Sequence, residues 1–335
     1  MRIFITITIA LSQLLAGSIL KAQTFTDIRA GLTGVAESSS GWINPDRDGD
    51  LDVFVAGEFF NNSNRNLQSF IYRNLRNNNF AAVNHNIPAF YRGDFGQADF
   101  NLDGINDLFV MGELSDGRRM AKIFNGNTSG GFTPSGQNFE GLRDGAVALA
   151  DYDGDGDTDI LITGEGINGP RTLLYQNERS SGFKLIQTEI SAAHRGDVCW
   201  IDFNLNGRPD LIITGINEKG QAISLLYHNT TEGFIREEAG FIPLKNSAIA
   251  CADVDNDGDQ DVLIMGEMDN GKLVTRLYRN DRDKGFSPVQ TPFVAIRSGF
   301  AHWADMEGDG DMDLLISGET TMGAISKVYR NDQRQ

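Results

Sequence analysis

Six nine-residue acidic segments recur along this 335-residue chain, and each places oxygen-bearing side chains at its first, third, fifth and ninth positions with Gly at its sixth. In chain order they read NPDRDGDLD, DFNLDGIND, DYDGDGDTD, DFNLNGRPD, DVDNDGDQD and DMEGDGDMD, and we call them loops 1 to 6 (44–52, 99–107, 151–159, 202–210, 253–261 and 305–313). Ca²⁺ prefers six to eight oxygen ligands, and a Gly allows the sharp turn that wraps such a segment around the ion. The segments therefore predict up to six calcium sites.

The candidate side-chain ligands come from the four shared positions of each loop. They are Asn44, Asp46, Asp48 and Asp52; Asp99, Asn101, Asp103 and Asp107; Asp151, Asp153, Asp155 and Asp159; Asp202, Asn204, Asn206 and Asp210; Asp253, Asp255, Asp257 and Asp261; Asp305, Glu307, Asp309 and Asp313. The seventh residue varies, as expected if it contributes its backbone carbonyl. An EF-hand is excluded, because no helices flank the loops and no Glu follows at the twelfth place.

Affinity should follow the number of carboxylates, so loops 3 and 5 are expected to bind most tightly and loop 4 most weakly. All ligands of a site come from one short loop, and no acid, base or nucleophile recurs beside it. We therefore expect structural rather than catalytic calcium.

The acidity of the chain is concentrated in these loops. The formal net charge is −17, and 24 of the 46 acidic residues lie in the six loops. The rest of the chain is close to neutral once residues 1–22 are removed, which argues against an acidic disordered tail and against a nucleic-acid partner.

Residues 1–22 have the pattern of a cleaved secretory signal: a basic start, an apolar run and a small residue, Ala22. No other segment could span a membrane, so we expect an extracellular, cell-surface or periplasmic protein. The two cysteines, Cys199 and Cys251, occupy different places in their repeats. These places lie on opposite faces of a strand, so we expect two buried free thiols rather than a disulfide.

The segments around the loops indicate the fold. Successive loops begin 55, 52, 51, 51 and 52 residues apart, and each unit has four strand-like runs, which is typical of a propeller blade. We predict an all-β, six-bladed β-propeller over residues 23–335, with four antiparallel strands per blade. A seven-bladed ring is disfavoured, since there is no seventh loop. The fourth strand of the last blade is expected to come from the N-terminus, where Phe25 would close the ring.

The metal segment, the apolar strand after it and the phrase LYRN followed by GF together resemble the FG-GAP/VCBS repeat family over essentially the whole mature chain. The resemblance implies a secreted or surface β-propeller with calcium in its blade loops, as in the head of integrin α subunits and some fungal lectins. The strand after the metal loop ends in Gly-Glu in five units, where the family pattern has GAP. A partner taken from integrins is therefore not expected to transfer.

A second set of residues recurs seven or eight places before the loops. These candidate ligand-binding residues are Arg92, Arg143, Arg195, Lys245 and Arg297, with Glu37 in the first unit. They fall on the face opposite the metal loops, as do the glutamates that end the second strands. Two interpretations stay open: surface Arg–Glu bridges, or a partly basic mouth for an anionic or sugar ligand.

The sequence favours a monomeric binding or adhesion module for a glycan or an extracellular protein. One alternative is a calcium-dependent propeller enzyme, either a phytase-like hydrolase or one acting on polysaccharides, and another is a scaffold for protein partners only. The four histidines occupy unrelated places in their repeats, and no nucleophile–base pair is evident, so no catalytic residue is assigned.

Overall fold

A computed structural model describes residues 28–61 and 64–332, and within them the chain is built almost entirely of β-strands. Six antiparallel sheets follow one another along the chain, each with its strands in sequence order. The predicted six-bladed propeller is confirmed. The expected signal segment and the closing strand at Phe25 lie outside the described residues. None of the described helical segments has the length and apolarity needed to cross a membrane.

The first three sheets, blades 1 to 3, have four strands each. Blade 1 contains β1 (Ala36–Ile43), β2 (Asp52–Asn61), β3 (Asn64–Asn74) and β4 (Phe80–Val83). Blade 2 contains β5 (Tyr91–Ala98), β6 (Asp107–Glu113), β7 (Arg119–Gly126) and β8 (Phe132–Pro134). Blade 3 contains β9 (Val147–Ala150), β10 (Asp159–Gly166), β11 (Gly169–Asn177) and β12 (Phe183–Ile186), with a 3₁₀ turn at Arg179–Ser181.

The last three sheets repeat this plan, and the sixth has three strands within the described residues. Blade 4 contains β13 (Val198–Ile201), β14 (Asp210–Ile216), β15 (Ala222–Thr230) and β16 (Gly233–Glu237). Blade 5 contains β17 (Lys245–Ala252), β18 (Asp261–Glu267), β19 (Leu273–Asn280) and β20 (Phe286–Val289), with a 3₁₀ turn at Arg282–Lys284. Blade 6 contains β21 (Arg297–Ala304), β22 (Asp313–Thr320) and β23 (Gly323–Tyr329).

The second strand of each blade explains the apolar run that follows each acidic loop. It lies between the first and third strands, and neighbouring blades cover both of its faces, so its side chains must be apolar on both sides. In blade 2, Leu108, Phe109, Val110 and Met111 are all completely buried. The acidic loop joins the first strand to this buried second strand, which fixes the loop to the rigid centre of the blade.

Five hydrophobic cores join successive blades, from blades 1 and 2 through to blades 5 and 6. Trp200 and Trp303 each pack in the core that faces the preceding blade. Trp42 holds the same repeat position in blade 1 and therefore faces blade 6, yet it is 61% exposed. Within the described residues, the side of blade 1 that faces blade 6 has only a small core of its own around Val53, Val55 and Tyr72.

The repeated tyrosine of the third strand fixes the connection between blades, and it is buried in four of the five blades that have it. In five blades a backbone N–H of the preceding connection donates a hydrogen bond of 2.9 to 3.0 Å to the tyrosine hydroxyl. The pairs are Thr33 with Tyr72, Glu140 with Tyr175, Ser191 with Tyr227, Ile242 with Tyr278, and Val294 with Tyr329. Blade 2 has the fully buried Phe124 at this place and so lacks the bond.

Both cysteines are free thiols, and both are half-buried in the core between blades 4 and 5. They do lie on opposite faces of their strands. However, opposite faces of two neighbouring blades are the faces that meet, so the two residues share one core. Opposite strand faces therefore do not keep the two thiols apart, contrary to the expectation from their repeat positions.

Candidate metal loops and channel mouth

The first residue of each loop organises the loop backbone. In loop 3, the carboxylate of Asp151 accepts hydrogen bonds from the N–H groups of Asp155 (3.0 Å) and Gly156 (2.9 Å). Asp99, Asp202, Asp253 and Asp305 accept the same bonds in loops 2, 4, 5 and 6. The Gly at the sixth position has φ between 81° and 93° in all six loops, a conformation that other residues rarely adopt.

The ninth residue is a buried Asp that joins the loop to the rest of its blade. In loop 3 the Asp159 carboxylate accepts hydrogen bonds from Asn177 N–H at 2.7 Å and from Tyr152 N–H at 3.1 Å. Burial raises the pKa of Asp159 to about 7, although these backbone bonds oppose the rise and the neighbouring carboxylates add to it. Burial likewise raises the pKa values of Asp107, Asp210 and Asp261 to about 6. A buried carboxylate of this kind is stabilised by a nearby cation.

Two loops bring three carboxylates together closely enough to share one ion. One oxygen from each of Asp151, Asp153 and Asp159, and one from each of Asp253, Asp255 and Asp257, lie within 4.8 Å of one another. These are loops 3 and 5, for which the sequence predicts the tightest binding. Three buried oxygens at ligand positions, Asp52 Oδ2, Asp210 Oδ2 and Asp255 Oδ1, have no hydrogen-bond partner among the described residues. The donor set is all oxygen and therefore fits Ca²⁺.

The seventh residue has a structural role that sequence reasoning missed. In loops 1, 3 and 5 it is an Asp whose carboxylate forms an ion pair with an Arg of the same blade; the pairs are Asp50–Arg76, Asp157–Arg179 and Asp259–Arg282. Each Arg lies two residues after the Asn that ends the third strand. Loops 2 and 4 lack the Asp, and their blades also lack the Arg. Loop 6 is the exception, because it has Asp311 but Gln333 at the place of the Arg, and Asp311 accepts a hydrogen bond from Asn256. The co-occurrence in the other five blades was the signal that could have revealed the pair.

In blades 3 to 6, an Asn at or near the end of the third strand links the blade to the loop of the preceding blade. Its side-chain N–H donates to the carbonyl of the second loop residue 77 positions earlier. The bonds are Asn177 to Phe100 (2.9 Å), Asn229 to Tyr152 (2.6 Å), Asn280 to Phe203 (2.8 Å) and Asn331 to Val254 (3.0 Å). The same Asn also closes a turn: in blade 3 Asn177 Oδ1 accepts a hydrogen bond from the Arg179 N–H. Blade 2 has Gly126 at this place.

On the opposite face, one residue from each blade surrounds the mouth of the central channel. We call this set the mouth ring: Glu37, Arg92, Asp144, Arg195, Asn246 and Ser298, each seven residues before its loop. All six have φ between 45° and 51°, which the sequence did not predict. Backbone N–H groups of Asp144, Arg195 and Asn246 donate to the carbonyl of the preceding member at 2.6 to 2.7 Å. The mouth encloses a cavity of about 1220 Å³ lined by all six blades.

The five predicted basic residues fall into two concentric sets rather than one ring. Arg92 and Arg195 belong to the mouth ring. Arg143, Lys245 and Arg297 lie one residue earlier and pair with acidic groups at the ends of the second strands or just beyond them. Arg143 contacts Glu113 (2.5 Å) and Glu165 (3.0 Å), Arg297 contacts Glu267 and Glu319, and Lys245 contacts Asp269 (3.6 Å). The expected Arg–Glu bridges therefore occur at this outer set.

The charged side chains around the mouth neutralise one another on one side only. Arg92 donates two hydrogen bonds to Asp144, the next member of the ring. Burial alone would raise the pKa of Glu113, but hydrogen bonds from Arg143 and Tyr91 outweigh it and leave that pKa lowered. Arg195, by contrast, is exposed, and its guanidinium has no hydrogen-bond or ion-pair partner among the described residues. Blade 4 thus places an unpaired cation at the mouth.

A comparison with solved structures finds similar chains at low sequence identity. AofleA from Arthrobotrys oligospora is 10% identical, with a TM-score of 0.51 over 88% of this chain and 83% of that one. A subtype N11 neuraminidase-like protein of A/flat-faced bat/Peru/033/2010 (H18N11) is 11% identical, with a TM-score of 0.47 over 91% and 90%. The V. cholerae biofilm matrix protein Bap1 is 15% identical, with a TM-score of 0.34 over 88% and 38%.

A search of curated protein sequences finds no match to this chain. The model of the FG-GAP-like repeat, in contrast, matches four times, at residues 99–162, 151–213, 202–264 and 253–316. Each match begins at the first residue of loop 2, 3, 4 or 5 and runs into the strand after the next loop. The matches together cover more than half of the sequence. The chain therefore belongs to the family of FG-GAP-like repeat proteins.

Proposed function

We propose that this protein is a secreted, calcium-stabilised binding module that holds a saccharide at the channel mouth. The observation that carries the proposal is the mouth itself. Its cavity of about 1220 Å³ is lined by all six blades and contains the unpaired Arg195. A concave site with a few convergent polar groups is the usual form of a ligand site.

The two faces of the propeller support this assignment of roles. On the loop face, the polar side chains are largely occupied by one another, as in the Asp–Arg pairs and the Asn links between loops. On the mouth face, the ring residue differs from blade to blade while the backbone conformation stays constant. A uniform backbone with variable side chains can give specificity without altering the scaffold.

Calcium would be held by the side chains at positions one, three, five and nine of the loops, with loops 3 and 5 the best supplied. Bound Ca²⁺ would supply a positive charge that offsets the mutual repulsion of the clustered carboxylates. The chain's own contribution is to fix the loop backbone through the first Asp and to hold the ninth Asp against two backbone N–H groups. The sites would then stabilise the ring rather than contact the saccharide.

The experiment that tests the proposal is a glycan array probed with the calcium-loaded protein lacking residues 1–22. Ser38→Trp places a bulky ring at the mouth, where Ser38 is exposed, whereas Thr231→Trp places the same ring on the loop face. We expect the wild type and Thr231→Trp to retain the same glycans and Ser38→Trp to lose them. Retention of no glycan by the wild type, or unchanged retention by Ser38→Trp, would overturn the proposal.

A further inference from the structure

The mouth ring divides into a closed half and an open half. In blades 2 and 3, Arg92 and Asp144 neutralise each other, and Arg143 binds Glu113 and Glu165 directly behind them. These groups are already satisfied, so a ligand would have to break existing bonds to use them. The arc through blades 4, 5, 6 and 1 carries Arg195, Asn246, Ser298 and Glu37 instead. Among the described residues, none of these four side chains has a bonding partner.

The open arc has opposite charges at its two ends. Arg195 stands on blade 4 and Glu37 on blade 1, and both side chains are exposed. Two blades separate them in either direction around the ring, so they face each other across the mouth rather than pair. Glu58 and Glu319 also line the mouth beside Glu37, and Glu319 forms an ion pair with Arg297 at 3.4 Å. The open arc is therefore a dipolar surface.

Between the two charged ends, the arc offers groups that suit a polyhydroxylated ligand. Asn246 and Ser298 present an amide and a hydroxyl, and Ser247, which also lines the mouth, donates its hydroxyl hydrogen to Thr214 and so presents acceptor lone pairs. Phe300 is 44% exposed at the same mouth. An exposed aromatic ring can stack on the apolar C–H face of a sugar, while the hydroxyl and amide groups bind its oxygens.

From these features we infer that the open arc binds a zwitterionic saccharide, with its carboxylate at Arg195 and its ammonium group at Glu37. This inference rests on the proposed function, since it names the ligand class of the same mouth. Charge-assisted hydrogen bonds at each end would orient the saccharide along the arc, because the reversed orientation would place like charges together. The ligand thus lies over blades 4, 5, 6 and 1 and leaves the ion pairs of blades 2 and 3 intact.

The test uses three oligosaccharides of one length in calorimetric titrations of the calcium-loaded protein. The first alternates glucosamine, with its free amine, and glucuronate. The second is its N-acetylated form, which lacks the cation, and the third is its carboxyl-reduced form, which lacks the anion. We expect the first to bind most tightly and each of the others about tenfold more weakly, the loss expected for one charge-assisted contact.

Two variants assign the ends of the arc. Arg195→Gln should weaken the first and second probes about tenfold and leave the carboxyl-reduced probe unchanged. Glu37→Gln should weaken the first and third and leave the N-acetylated probe unchanged. Neither side chain has a partner to lose among the described residues, so both variants should keep the wild-type melting temperature. The matched controls Arg118→Gln and Glu238→Gln, which alter exposed ion pairs away from the mouth, should bind all three probes normally.

The outcomes separate this inference from the proposed function. Equal binding of the three probes, or equal losses with all probes in both variants, would overturn the dipolar assignment while leaving a saccharide-binding mouth. Binding of the anionic form alone would also overturn it. No binding of these probes, together with no retention on the glycan array, would overturn both the dipolar assignment and the proposed function. No binding of the probes by a protein that retains uncharged glycans on the array would overturn only the assignment.

Discussion

The two faces of this propeller are built on the same repeat but use it differently. On the loop face, the same residue types return in most blades and bond to one another, both within a blade and across to the preceding blade. On the mouth face, only the backbone conformation returns, while the side chain changes from Glu to Arg, Asp, Asn and Ser. Repetition therefore serves stability on one face and supplies a frame for varied chemistry on the other.

The largest effect should come from removing calcium, which we expect to lower the melting temperature by about 8 °C. A site held at a hundredfold its Kd contributes about 2.7 kcal/mol, so loops 3 and 5 together contribute about 5.4 kcal/mol. The unfolding entropy of about 2.1 cal/mol/K per residue, taken over about 310 residues, makes each kcal/mol worth about 1.5 °C. Differential scanning calorimetry in calcium and in chelator measures it. An unchanged melting temperature would show that calcium does not stabilise the loop face.

The second effect is on the pH dependence of the calcium-free protein. The folded pKa values of about 6 to 7 at Asp107, Asp159, Asp210 and Asp261 lie above the ordinary 3.8. Between these values the folded chain holds protons that the unfolded chain has lost, so protonation favours the fold. The stability of the calcium-free protein should thus fall as the pH rises from about 4 through 7.

The calcium-loaded protein should respond in the opposite direction, because its ligands must be ionised to bind the metal. Melting curves in chelator and in calcium from pH 5 to pH 8 should therefore diverge as the pH rises. Parallel curves would show that these four carboxylates neither hold protons in the calcium-free fold nor lose them on binding calcium.

The third effect concerns the links between loops. Asn229→Ala removes the side-chain bonds to the Tyr152 carbonyl (2.6 Å) and the Pro209 carbonyl (3.0 Å), leaving both acceptors in a partly buried site. We expect a loss of about 1–3 kcal/mol in the free energy of unfolding. The exposed hairpin variant Asn168→Ala and the mouth variant Arg195→Gln should each stay within about 0.5 kcal/mol of the wild type. Denaturant titration measures the free energy of unfolding of all three variants. Equal losses in the three would show that the links of the loop face stabilise the fold no more than side chains elsewhere.

The smallest effect is expected within loop 4, which has two carboxylates among its ligand positions. Its third and fifth residues, Asn204 and Asn206, contact His228 at 3.1 and 3.3 Å. Asn206→Asp adds a carboxylate and should strengthen calcium binding at this loop several-fold, with little change in the melting temperature. Site-resolved calcium titration measures the change. An Asn206→Asp variant that binds calcium at loop 4 no more tightly than the wild type would contradict this prediction, as would a wild-type loop 4 that binds more tightly than loops 3 and 5.

The repeat made the fold predictable. Its period and the apolar run after each loop fixed the blades, because the second strand is buried on both faces. The loop positions were predictable for a similar reason, since oxygen-bearing side chains on alternate residues leave a visible local pattern.

Non-local contacts were not predictable in the same way. The bond from Asn177 to Phe100 joins two blades, and nothing near either residue indicates it. The left-handed backbone of the mouth ring was also hidden, because four of its six members are charged residues rather than Gly or Asn. A count of seven or eight residues back from each loop placed Arg195 and Arg297 in one set. In the structure Arg195 is unpaired among the described residues, whereas Arg297 pairs with Glu267 and Glu319.

The constant 77-residue span of the Asn links bears on how such a ring can change in evolution. Each link joins the end of a third strand to the loop one repeat earlier, so a duplicated repeat brings with it one donor and one acceptor. A whole blade can then be gained or lost and the links on either side will re-form. Gly126 is the interruption in this series, and a Cβ there would lie 2.4 Å from the Asn106 carbonyl oxygen. Blade 2 has thus diverged from its duplicates at the point where a link would otherwise have been copied.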